Sequence, residues 1–142
     1  FFITTNKERV IDTIKSRCQI MKIDYATKSV VDEKIIEYAN EYVRRILENC
    51  DLIVNKEFIL PSFGTRNEIN SLLTVIFDMY MSAISEKYFP GNKKNDVLSG
   101  ISLEQLKKQI AIIEKTITLN QANVSLELLL DQFVIEMRRA NA

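Results

Sequence analysis

The 142-residue sequence sets 19 Lys plus Arg against 19 Asp plus Glu, so its formal charge is zero, and 46% of it is hydrophobic. That is enough for a packed core in one domain or two small pieces, but it leaves no cationic surplus for free-standing attachment to nucleic-acid phosphate. The chain has no His, which removes imidazole bases, His-dependent triads and His-ligated metals, and two cysteines, Cys18 and Cys50, are too few for a zinc centre.

With three Gly and two Pro as punctuation, few and long elements are expected. Phe1-Phe2-Ile3-Thr4-Thr5 reads as a buried strand, which needs neighbouring strands for its backbone hydrogen bonds. The apolar opening without Met suggests part of something longer. Asn6 can cap a helix over residues 7–15 with Val10, Ile11 and Ile14 as its apolar face, and the alternation in Gln19-Ile20-Met21-Lys22-Ile23 predicts a second strand. Residues 1–23 therefore read as a strand-helix-strand remnant of an α/β module.

From Val31 the period becomes helical through Ile35, Tyr38, Ala39, Tyr42 and Ile46, ending near Asn49. Residues 55–63 read as irregular, with Pro61 and Gly64 marking a break. Ile69, Leu72, Leu73, Ile76, Phe77, Tyr80 and Ile84 then form one wide apolar stripe on a helix from about Arg66 to Tyr88, stopped by Pro90-Gly91-Asn92. A polar, solvated loop is expected through Asp96.

Ser102 and Gln105 have capping-box spacing, ahead of a stripe of Leu103, Leu106, Ile110, Ile113 and Ile117. The stripe itself reads as the inner face of the bundle or a seam with a partner, burial within the bundle being favoured, whereas Ile112 and Leu119 lie off it as excess apolar surface of the kind a partner-facing helix carries. Asn123 is expected to cap a last helix whose stripe is Leu126, Leu129, Leu130, Phe133, Val134 and Met137. Lys93-Lys94 and Arg138-Arg139 read as solvated charges. Long amphipathic helices joined by short links predict a mainly α protein, an antiparallel helical bundle preceded by the α/β remnant. No run approaches the roughly 18 to 20 apolar residues of a membrane span, and the start lacks signal-peptide features, so a cytoplasmic location is expected.

The segment Ile3-Thr4-Thr5-Asn6 through Ser16-Arg17-Cys18-Gln19 resembles the part of bacterial replication clamp-loader subunits, AAA+ proteins, that runs from the sensor 1 strand to the Ser-Arg-Cys motif. Residues 101–135, with Leu106-Lys107-Lys108-Gln109-Ile110 and Asn120-Gln121-Ala122-Asn123-Val124 before a Leu-rich helix, resemble the collar domain of the same family. Thr-Thr-Asn and the stop after the last helix look most like the delta prime type of the DNA polymerase III clamp loader. Gamma and tau types more often carry Asp where Asn6 stands.

The resemblance covers residues 1–23 and 66–139. It implies three parts: residues 1–23 as the end of an AAA+ module, 24–65 as a shortened lid or linker, and 66–142 as the collar. The ATPase core, with its phosphate loop, and the zinc cysteines common in delta prime are not in the sequence. By this resemblance, Arg17 acts as an arginine finger in the ATP site of a neighbouring subunit, with Ser16 and Cys18 as its motif neighbours.

From position alone Arg17 also fits a helix-end cation, and Cys18, lacking any imidazole base, fits a packing group. Thr5 and Asn6 match the sensor 1 region, yet Asn6 is also a good helix cap; the cap is the favoured reading here, since delta prime subunits generally do not hydrolyse nucleotide. The expected cofactors are none in this chain, with ATP and Mg held by the neighbour. The implied partners are gamma or tau and delta subunits in a hetero-pentamer, and the sliding clamp and primed DNA through that complex, with no membrane. Alternatives from the same residues are a gamma- or tau-type ATPase subunit lacking its core, or an unrelated helical interaction domain.

Overall fold

A computed structural model describes residue 12, residues 32–48, 51–91 and 96–142. By compactness the chain divides into residues 1–30 and a second unit, Val31–Ala142. Of the first unit only Asp12 is described, and it is helical. The strands expected at 1–5 and 19–23 lie outside the described residues.

The second unit is built from four α-helices: α1 (Glu33–Leu47), α2 (Arg66–Tyr88), α3 (Leu103–Gln121) and α4 (Leu126–Asn141). No strand occurs among the described residues. Three of the four helices start where the sequence can satisfy the first free N–H groups. The Asp32 carboxylate accepts from the Lys34 amide, while Thr65 with Glu68 and Ser102 with Gln105 form reciprocal capping boxes at α2 and α3. The second box is the one expected; the first sits immediately after the Pro61 to Gly64 break.

The core is shared by all four helices: Ala39, Tyr42, Val43 and Ile46 of α1, Leu72, Leu73, Ile76 and Tyr80 of α2, Leu106 and Ile113 of α3, and Leu130, Phe133, Val134 and Met137 of α4. Thus α1 belongs to the same core as α2 to α4. Hydrogen bonds from Arg66 at the start of α2 to main-chain atoms near the end of α3, and from Gln105 at the start of α3 to Asn141 at the end of α4, set both pairs antiparallel.

Two local expectations are corrected. Residues 55–59 are not irregular: Asn55–Ile59 is a π-helical turn, closed by the Leu60 amide donating to the Asn55 carbonyl at 2.9 Å. Asn123 does not cap α4; it takes φ of 62°, a left-handed conformation that Asn tolerates, and Ser125 holds the cap position without a side-chain bond. Asp96–Leu98 forms a 3-10 turn in which Asp96 is exposed, as expected of the polar stretch it closes, and Leu98 beyond it is buried in the core.

The inward face of α3 is also rotated from the expected stripe. Leu103, Ile110 and Ile117 are half-buried at its edge, while Gln109, Thr116 and Asn120 turn inward beside Leu106 and Ile113. A wide core arc spans more than a strict three-four seam, so polar residues flanking the seam are drawn in.

Candidate functional site

The residues singled out for chemistry, Thr5, Asn6, Ser16, Arg17 and Cys18, all lie outside the described residues, as do Cys50 and Lys93-Lys94. The helical unit offers instead two polar junctions and a set of exposed apolar side chains.

The first junction ties α1, the π turn and α4. Tyr42, fully buried, donates its hydroxyl to Asn55 Oδ1 at 2.6 Å, and Asn55 Nδ2 donates to Asp131 Oδ1 at 2.8 Å. The widened turn carries Asn55 into the core, where an amide can serve one donor and one acceptor at once. Outside it, Lys56 pairs with Glu127 at 2.8 Å, and that carboxylate raises the lysine pKa.

The second junction closes the α3–α4 link against α2. The Arg66 guanidinium donates to the carbonyls of Asn120, at 3.1 Å, and Val124, while Asn120 Nδ2 donates back to the Arg66 carbonyl at 3.0 Å. These bonds satisfy main-chain carbonyls at the end of α3, a task a planar, permanently charged fork does well. Arg66, Asn67, Asn70, Asn120 and Gln121 together line a polar cleft of about 270 Å³.

Several of the described surface charges are held in ion pairs. Hydrogen bonds from Arg45 and Arg44 hold the Glu41 carboxyl below the usual range, and Lys115, followed by Gln132, does the same for Glu136. The Lys115 to Glu136 contact, 2.7 Å, crosses from α3 to α4. Arg139 is exposed as expected, but Arg138 is half-buried and its Nε has no hydrogen-bond partner.

Ile112, expected to face a partner, packs against the core, and Leu119 is half-buried. Among the described residues, the large apolar side chains most open to solvent are elsewhere: Phe89 at 79%, Leu128 at 65% and Tyr88 at 56%, with Met81 about two turns before Tyr88 on α2. Met81 and Tyr88 share a helix face with half-buried Phe77 and Ile84, positions the stripe had assigned to the core. Among the described residues no group of His, Cys, Asp and Glu could hold a metal ion, and no helix is long and apolar enough to cross a membrane.

Comparison of the chain with protein-family models, curated proteins and solved structures gave no match.

Proposed function

We propose that this chain is the C-terminal portion of a delta prime-like subunit of a bacterial replicative clamp loader. The reading rests on the ordered pair of sequence signatures, Thr5-Asn6 followed by Ser16-Arg17-Cys18, then the helix pair α3 and α4. The bundle is compatible with a collar: it is mainly helical, and it exposes Tyr88 at the end of α2, Phe89 just after it and Leu128 on α4. In this role the helical unit holds subunits together, with no nucleotide site of its own.

Arg17 acts in trans under this proposal. A guanidinium delivered to the neighbour's bound ATP stabilises charge spreading over the γ-phosphoryl oxygens as the bond to the leaving group loosens. Hydrolysis is thereby tied to assembly of the ring, and so to loading the sliding clamp on primed DNA. Arg17→Ala should lower turnover at the site it serves on the order of 10³-fold. Arg17→Lys should recover little, because an ammonium keeps the charge but loses the planar fork. The measurement is steady-state ATP hydrolysis by an assembled complex in which that neighbouring site alone keeps an intact phosphate loop. Wild-type turnover in Arg17→Ala would sink the assignment.

A second reading, a helical interaction domain outside this family, draws on the same exposed aromatics. Co-elution of the chain with gamma and delta subunits in size-exclusion chromatography separates the two, since only the clamp-loader reading expects it.

A further inference from the structure

The polar cleft between the start of α2 and the end of α3 has a composition that narrows what it can hold. Its walls are Arg66, Asn67 and Asn70 from α2 and Asn120 and Gln121 from α3, without a carboxylate or an aromatic ring. Asn120 is 3% exposed, and its Oδ1 and the Oδ1 of half-buried Asn70 are buried without a hydrogen-bond partner. Leaving such oxygens unpaired is costly, so both are primed to receive donors.

The identity of the Asn120 oxygen follows from its neighbour. The Asn120 amide nitrogen donates to the Arg66 carbonyl, which can only accept, so the other end of the amide must be the oxygen. An anion would meet this acceptor and is disfavoured. A cation would meet the Arg66 guanidinium on the same wall, with no carboxylate to compensate. What remains is a neutral group that donates to the two oxygens while accepting from the cleft's own donors. Asn67 and Gln121 amides can supply those, as can Arg66, whose five N–H groups exceed the two contacts made to Asn120 and Val124. Asn67 and Gln121 are exposed, so their side chains can move as the group enters the cleft they help to line.

We propose that this cleft binds a neutral carboxamide: a peptide unit, or an Asn or Gln side chain, presented by another polypeptide. The site stands apart from the clamp-loader reading and does not depend on it.

The test is a ¹H–¹⁵N NMR titration of the full chain with N-acetylglycinamide, a small molecule carrying both a peptide unit and a primary amide. The side-chain amide signals of Asn70, Asn120 and Gln121 should move together and saturate, with half-saturation on the order of tens of millimolar, as suits so small a ligand. Methylammonium and acetate should leave them in place at the same concentrations. Asn70→Ala removes an oxygen that has no partner, so it should keep the fold, read by the dispersed backbone spectrum, and weaken binding about tenfold. Absence of saturation, equal or stronger response to methylammonium or acetate, or unchanged binding by Asn70→Ala would each overturn the proposal.

Discussion

Two parts of this bundle bury polar side chains in opposite ways. At the junction of α1, the π turn and α4, Tyr42, Asn55 and Asp131 form a chain in which each hydrogen bond has both ends in place. Along the α2 and α3 faces, Tyr80 and Gln109 are each 0% exposed, and the Tyr80 hydroxyl and both polar atoms of the Gln109 amide have no partner. The contrast shows that burial alone says little about what a polar group does for stability. A completed network fixes one arrangement of the core, whereas an unpaired group is a standing cost of about 1–3 kcal/mol.

The widest separation between the two regions should appear on removing their central residues. Asn55→Leu deletes both the acceptor for Tyr42 and the donor to Asp131, and should cost about 2–3 kcal/mol in urea unfolding. A neutral outcome would mean the network adds nothing beyond packing. Gln109→Leu should move the other way, gaining about 1–2 kcal/mol by replacing an unpaired amide with an apolar chain of similar volume. A loss of stability there would show that the amide is satisfied in solution.

The smallest effect concerns Tyr80, whose burial pushes its pKa above the ordinary value of 10.0. Below that value both folded and unfolded chains keep the phenol protonated, so the shift contributes nothing. As pH rises past it the unfolded chain ionises first, and folding stability falls. Tyr80→Phe should change stability by about 1 kcal/mol or less at neutral pH, in the stabilising direction, and flatten the decline above about pH 10. An identical alkaline decline in the variant, followed by circular dichroism, would remove Tyr80 as its source.

Helix positions were the part most open to reading from sequence. The stripe from Ile69 to Tyr80 and the Ser102 to Gln105 box depend on local periodicity and capping, and the helices stand where those signals put them. Details decided by neighbouring helices were not legible. The π turn at Asn55 exists because a buried amide meets Tyr42 and Asp131, residues far away in sequence, and no local pattern announces it. The inward turn of Gln109 likewise reflects how far the core arc extends around α3. Two further signals are carried by the sequence itself. Thr65 and Glu68 have capping-box spacing hidden behind the Pro61 to Gly64 break, and Asn123 suits a left-handed link as well as a cap. The proposed chemistry at Arg17 rests on motif resemblance, because that region lies outside the described residues.

Arg66 has a further consequence, for the order in which the bundle assembles. The two helices flanking Ala122 to Ser125 are adjacent in the chain and can meet by local closure, but the carbonyls at their link are held by a guanidinium 54 and 58 residues earlier. Closing so long a loop carries a larger entropic cost than pairing neighbours, so it belongs late in folding. The turn between the last two helices is thus the first to form in outline and among the last to be locked, and its completion reports that the distant N-terminal end of α2 has docked.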